Sequence, residues 1–160
     1  MKSKININGN RLEITRTFDA PRCDVFSCWA EAEKLRQWSG CKEAIECQVE
    51  MDFRVGGWFS QKMKIAVNGQ VCDFHLKGIY EEIVVPQRIS YRAYIGQQVM
   101  PVRVEFFEEG DRTRVVLTQD GFTNLESCKI VSLGTSESLD KLDSILKRRN
   151  VTGLLRAEVG

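Results

Sequence analysis

The longest periodic segment of the chain extends from Ser127 to Arg149. Apolar and small residues recur there at steps of three and four, the spacing that lines one face of an α-helix, and charged residues fall mostly on the other face. A helix of this length spans roughly 30 Å, the width of a small domain, so it needs a broad apolar partner such as a sheet. The residues on its predicted apolar face are Cys128, Val131, Thr135, Leu139, Leu142 and Leu146.

The beginning of the chain predicts two strands and two short helices. A strand around Ile5 and a second strand from Leu12 to Phe18 flank an Asn-Gly-Asn turn. Pro21 suits the first turn of a helix that ends near Ala30, and a second helix is predicted from Glu31 to Trp38.

From residue 44 onward the hydrophobic period changes to two, which predicts about six strands joined by tight turns. The clearest turn signals are Asp52–Gly57, Asn68-Gly69 and Pro86. The predicted strands are Ala44–Glu50, Trp58–Val67, Val71–Val85, and runs around Tyr91, Val104 and Val115.

Successive hairpins, with helices only near the two ends of the chain, predict an α+β protein. We expect a curved antiparallel sheet wrapped round the long C-terminal helix, with two short helices after the first strand. Such a sheet touches the helix less well near the helix ends, so a cavity is expected there. One domain over residues 1–160 is predicted, with a core of about 11–149 and with 150–160 as a flexible tail or an arm for a dimer partner.

The charge balance narrows the range of partners. Lys+Arg 23 against Asp+Glu 22 gives a net charge of +1, so no overall field attracts nucleic acid or an acidic membrane surface. The first ten residues lack the apolar run of a signal peptide, and no window reaches the length of a membrane span. We therefore expect a cytoplasmic protein that binds neither nucleic acid nor membranes.

The cysteines predict neither a disulfide framework nor a metal site. The 6 cysteines form no Cys-x-x-Cys pair, and we expect most of them to be reduced core residues. A zinc site built from Cys41, Cys47 and His75 would lack the short ligand spacings of known zinc motifs, so no metal or cofactor is predicted. The cysteines are Cys23, Cys28, Cys41, Cys47, Cys72 and Cys128.

No catalytic residue is predicted. His75 is the only histidine, and it alternates with Phe74 and Leu76, so it points outward if those two side chains face the core. The Gly56-Gly57 pair indicates a tight turn rather than a phosphate loop, because the dinucleotide and Walker spacings are absent and no helix follows.

Short motifs spread from Ile14 to Leu146 match those of a known family. Phe18-Asp19-Ala20-Pro21 matches its opening signature, and Asp52–Gly57 matches its most specific element. These residues resemble the family named after the activator of heat-shock protein ninety ATPase, within the START-like (SRPBCC) superfamily, which implies a helix-grip, Bet v-like fold. The other matching residues are Val25, Phe26, Trp29, Leu35, Trp38, Gly78, Tyr80, Glu82, Pro86, Arg88, Ile89, Thr113, Val115 and Leu117.

The chain departs from the pattern of that family at three places. Ala30-Glu31-Ala32 stands where a Thr, an acidic or amide residue and a Pro are common. Ser39 stands where a second aromatic residue often follows Trp38, and Thr135 follows Gly134 where a Trp is usual. If the last two positions line the cavity, their small polar side chains enlarge it and make it more polar.

The favoured hypothesis is non-enzymatic binding of a small apolar or amphipathic molecule between the helix and the sheet. The resemblance implies an alternative, regulation of the heat-shock protein ninety ATPase by protein contact, with the chaperone as partner. A cyclase- or hydrolase-like enzyme with a carboxylate base is a third hypothesis, and both a monomer and a homodimer remain open. The residues predicted to line the cavity are Trp38, Trp58, Met63, Phe74, Leu76, Ser132 and Thr135.

Overall fold

A computed structural model of the chain describes the backbone of residues 2–159 and the side chains of residues 2–149. The first strands and helices follow the predicted order. They are β1 (Lys4–Asn8), β2 (Arg11–Phe18), α1 (Arg22–Ala30) and α2 (Ala32–Trp38). The remaining elements are β3 (Ala44–Met51), β4 (Trp58–Val67), β5 (Gln70–Val84), β6 (Arg88–Ile95), β7 (Gln98–Glu109), β8 (Arg112–Gln119) and α3 (Leu125–Val159).

The strands form one 8-stranded sheet in the order β1-β2-β8-β7-β6-β5-β4-β3. Every neighbouring pair is antiparallel. From β3 to β8 each strand pairs with the next along the chain, as tight hairpins require. Strand β2 lies between β1 and β8. The sheet curves round α3, which confirms the predicted α+β class and helix-grip fold.

The core lies on the concave face of the sheet, where alternate residues of each strand are buried. In β2 the alternation places Leu12, Ile14 and Phe18 inside. Helix α1 packs there through Trp29, whose ring centroid lies 5.2 Å from that of Phe106 on β7. The two short helices therefore cover one part of the concave face, while α3 covers another.

Helix α3 is longer than the predicted segment. It begins at Leu125, where the side-chain oxygen of Asn124 accepts a hydrogen bond from the Ser127 amide at 2.7 Å, and it continues to Val159. The helical backbone thus includes residues 150–159, whose side chains lie outside the described part of the chain. A role for this segment as a tail or a dimer arm stays a prediction. The predicted apolar face is buried at Cys128, Leu139, Leu142 and Leu146.

The glycine pair after β3 forms a tight turn against the sheet. The Gly56 amide donates to the Tyr80 carbonyl at 2.8 Å, and Gly56 has a φ of 84°, which favours glycine. A Cβ on Gly57 would lie 2.1 Å from the Asp52 carbonyl oxygen, so only glycine fits there.

The prediction that most of the cysteines are core residues is wrong. Of the six cysteines, only Cys28 and Cys128 are buried. Cys41 and Cys47 are half-buried, and the other two are exposed. Cys23 lies in the first turn of α1, and Cys72 lies near the tip of the β4–β5 hairpin beyond the core. All are free thiols.

Residues 2–159 include no helix with both the length and the apolarity that a membrane crossing needs.

Candidate functional site

A cavity of about 320 Å³ lies between the concave face of the sheet and the first half of α3. Strands β4, β5 and β6 form its floor, and the end of α2 and the segment after it form one wall. Val131 and Thr135 of α3 cover it from above. These residues belong to the N-terminal part of α3.

Aromatic rings build two walls of the cavity. The ring centroids of Trp29 and Trp38 lie 4.6 Å apart, and Nε1 of Trp38 donates to the Cys28 carbonyl at 3.0 Å, which fixes the indole. Across the cavity, the rings of Phe59 and Tyr91 meet edge to face at 5.0 Å. These contacts fix the positions of the rings in the lining.

Gly78 explains the position of Phe59. The two residues are directly opposite each other on β5 and β4. A Cβ on Gly78 would lie 2.0 Å from the Phe59 ring, so the ring can lie over the strand only because residue 78 has no side chain. The Phe59 ring therefore lies close to the sheet, and the space above it belongs to the cavity.

Small residues line the cavity where α2 and α3 approach each other. Oγ of Ser138 donates to the Gly40 carbonyl at 2.7 Å, which joins α3 to the end of α2. Ser39, Gly134 and Thr135 lie in the same part of the lining. Two of the family departures, Ser39 and Thr135, therefore do face the cavity, and they leave room that larger side chains would fill.

The lining is uncharged. The described residues around the cavity include no Asp, Glu, Lys, Arg or His. Burial raises the pKa of Tyr91, and burial together with the nearby Tyr91 raises the pKa of Tyr80, so both phenols stay neutral at ordinary pH. The cavity is thus a neutral, aromatic environment with a few hydroxyl and amide groups.

Five of the seven predicted lining residues surround this cavity. They are Trp38, Met63, Phe74, Leu76 and Thr135. Their role in binding a ligand stays a prediction.

Trp58 and Ser132 lie away from the cavity, which corrects their predicted place in its lining. Phe59 points inward on β4, so the alternation of the strand turns Trp58 outward, where it is 46% exposed beside Ile79. Ser132 is buried on the side of α3 that carries Cys128 and Leu139, and its hydroxyl donates to the Lys129 carbonyl at 2.8 Å.

Sequence reasoning missed Gln61 and the aromatic residues of β4 and β6. Phe59 and Gln61 share one face of β4 with Met63, which was predicted to line the cavity. The period of two could therefore have identified Gln61 as an inward polar residue. Tyr91 is on the corresponding face of β6.

His75 lies on the outer face of the sheet, as predicted. Its Nε2 is 2.7 Å from the Ser60 hydroxyl on the neighbouring strand. No cluster of three metal-ligating side chains is present among the described residues. The polar chemistry of the outer face is therefore separate from the cavity.

The curved sheet that grips a long helix defines a START-like, helix-grip protein. The sequence profile described as "Activator of Hsp90 ATPase homolog 1-like protein" matches residues 19–147. The chain belongs to this family, which confirms the resemblance seen in its motifs. No protein with a curated description matches the sequence significantly.

Several solved structures have a similar fold. A Chromobacterium violaceum protein is 23% identical, with a TM-score of 0.76, and the match covers 86% of this chain and 97% of that chain. An Arthrobacter aurescens protein is 17% identical, with a TM-score of 0.79 and 91% of each chain covered. An uncharacterized Rhizobium leguminosarum protein is 26% identical, with a TM-score of 0.66 and 92% and 97% covered.

Proposed function

We propose that this protein binds a small apolar or amphipathic molecule in the cavity between α3 and the sheet. The observation that carries the proposal is the apolar cavity of about 320 Å³. Ligand pockets have volumes of about 300–1,000 Å³ and mostly apolar walls with a few polar groups, and this cavity has both properties. Trp38, Met63, Phe74, Leu76 and Thr135 are the predicted residues that we propose contact the ligand.

The composition of the lining favours binding over catalysis. General acid–base catalysis most often uses His, Glu, Asp or Lys within hydrogen-bond reach of the reacting group. The described lining carries none of these side chains, and the only histidine is on the outer face. We therefore favour a binding protein over an enzyme of the cyclase or hydrolase type.

Native mass spectrometry of the gently purified protein tests the proposal. We expect a discrete added mass that disappears when the protein is unfolded. Fluorescence titrations with fatty acids, sterols and polyphenols provide a second test. The Trp58→Phe variant suits them, because it removes the exposed indole and leaves Trp29 and Trp38, which line the cavity. Absence of an added mass, together with no fluorescence change for any compound, would contradict the proposal.

The description of the family favours a second candidate, regulation of the Hsp90 ATPase by direct contact. A pull-down with the purified chaperone and measurement of its ATPase rate test this role. Capture of the chaperone with a changed rate would support it. If the chaperone is not captured and its rate is unchanged, this candidate is wrong and the cavity proposal is unaffected.

A further inference from the structure

The polar groups that face the cavity differ in whether the protein already uses them. The Ser138 hydroxyl donates to the Gly40 carbonyl, and the Ser39 hydroxyl lies 3.2 Å from the Cys47 sulfur. The side-chain amide of Gln119 donates to the Met100 sulfur at 3.0 Å. These groups have partners within the protein, so they have little reason to bind a ligand.

Gln61 is different. Its side chain faces the cavity and is only 9% exposed, yet its amide makes no hydrogen bond to any described residue. Among the described residues, Nε of Arg16 is the only fully buried side-chain nitrogen or oxygen atom without a partner, so the Gln61 amide is accessible from the cavity. A primary amide offers both a donor and an acceptor to a bound molecule.

Tyr91 presents a second group of this kind on the same concave face. Its hydroxyl has no hydrogen-bond partner among the described residues, and its ring contacts Phe59, which precedes Gln61 by two residues on β4. We propose that the cavity selects a neutral molecule with a mostly apolar body and one carbonyl or hydroxyl group, which Gln61 and Tyr91 hold by hydrogen bonds. This inference rests on the proposed function, because it concerns the same cavity.

The lack of cationic side chains in the described lining disfavours anionic amphipathic ligands. A carboxylate or phosphate would enter a cavity whose described lining has no cationic side chain. Burial of an ionised group without a partner costs far more than burial of a neutral carbonyl. We therefore expect ketones, alcohols or phenols to bind in preference to fatty acids of similar size.

Three probes with the same aromatic body test the preference by isothermal titration calorimetry: methyl naphthyl ketone, ethylnaphthalene and naphthoate. We expect the ketone to bind about three- to tenfold more tightly than the hydrocarbon, as one or two net hydrogen bonds allow. Naphthoate should bind at least about tenfold more weakly than the ketone.

Substitutions test which residues produce the preference for the ketone. Gln61→Leu keeps the volume of the side chain, so it should weaken the ketone toward the level of ethylnaphthalene and leave ethylnaphthalene unchanged. Tyr91→Phe should weaken the ketone in the same direction, and it removes only one oxygen atom. Gln48→Leu is the matched control, because Gln48 is exposed on β3 outside the cavity.

The possible results separate the two proposals. Equal affinity for ketone and hydrocarbon, tight binding of naphthoate, or no effect of both Gln61→Leu and Tyr91→Phe would overturn the inference and leave the binding function intact. If none of the three probes binds, the inference is overturned together with the cavity as their binding site. Selective loss of ketone affinity in Gln61→Leu would support it.

Discussion

His75 on the outer face of β5 gives a prediction about pH. Partial burial, followed by the charges of Lys77 and Lys62, lowers the pKa of His75 from its ordinary value of 6.5. The folded state thus favours the neutral imidazole. Its contribution to stability is present above about pH 6.5 and is lost as the pH falls through the folded pKa. We expect an NMR titration of this single histidine to give a pKa below 6.5.

The neighbouring charges can be separated from burial by substitution. Lys77→Gln should raise the pKa of His75, because it removes a positive charge that disfavours the imidazolium. Lys4→Gln, in the strand at the opposite edge of the sheet, should leave the pKa unchanged. A wild-type pKa at or above 6.5, or no response to Lys77→Gln, would contradict this account.

Single residues also show how far local patterns predict orientation. The alternation of β5 placed His75 outside and Phe74 inside, and both positions agree with the structure. The same rule, applied to β4 with Phe59 inward, would have placed Trp58 outside. The predicted place of Trp58 in the cavity rests on its position beside the turn Asp52–Gly57, and proximity to a turn is a weaker guide than the period of the strand.

At the scale of elements, a glycine weakens α3 where the helix covers the cavity. Gly134 lies within α3, and its added Cβ would meet only the Cβ of Cys41, at an ordinary 3.7 Å. Glycine inside a helix costs about 1 kcal/mol relative to alanine. We expect Gly134→Ala to raise the free energy of unfolding by about 0.5–1 kcal/mol in urea titrations.

Gly40 is the matched control for this substitution. It lies opposite α3, has a φ of 96°, and its added Cβ would lie 2.8 Å from the Met63 sulfur. Gly40→Ala should therefore destabilise the protein, in the opposite direction to Gly134→Ala. If Gly134→Ala is as destabilising as Gly40→Ala, the helix is less tolerant at this point than the contacts indicate.

A buried arginine fastens α3 to the sheet. Arg16 on β2 is only 5% exposed and pairs with Asp140 and, at 3.4 Å, with Asp143 on α3. Removing one partner of a buried ion pair costs about 3–5 kcal/mol. We expect Arg16→Met to lower the free energy of unfolding by less than this, about 1–2 kcal/mol, because Asp140 is 63% exposed and Asp143 keeps Lys147 at 2.9 Å.

Arg11→Met on the same strand is the control. It breaks an ion pair with Asp120 in which both side chains are well exposed, so it should change stability little. Equal losses from Arg16→Met and Arg11→Met in the same urea titrations would show that Arg16 does not hold the helix on the sheet.

Local sequence signals predicted the strands and helices, but they did not predict the contacts that hold α3 on the sheet. Asn68-Gly69 and the alternation on either side predicted the β4–β5 hairpin, because both signals act between near neighbours. Arg16 occupies an inward position of β2, between Ile14 and Phe18, and this is visible in the sequence. Its partners lie more than a hundred residues away, however, and no local rule specifies such a pairing.

For the whole molecule, the cavity results from the way one long helix is held. Arg16 fixes the middle of α3 to β2, while Ser138 ties the helix to the segment after α2. The first half then spans the open part of the sheet, and small residues at Gly134 and Thr135 leave that space unfilled. The strand period could predict that Gln61 faces inward, but the contacts between the aromatic rings that enclose the cavity depend on strands that meet only after folding.

Filling the cavity from the helix provides a test of this arrangement. Thr135→Trp places a large ring in the lining, so we expect it to abolish the binding of ethylnaphthalene in calorimetry. Its thermal midpoint should stay equal or rise, because a ring that fills empty space gains contacts with the aromatic walls. Leu133→Trp is the control, since Leu133 is 63% exposed on the same helix and does not line the cavity.

The two measurements on Thr135→Trp have to be read together. Lost binding with an unchanged or raised midpoint means that the ring occupies the space that the probe used, whereas Leu133→Trp should bind as before. Unchanged binding in a folded Thr135→Trp protein would place the probe elsewhere. A lowered midpoint would indicate overpacking, and Thr135→Leu, which adds less volume, should then weaken binding while the fold is retained.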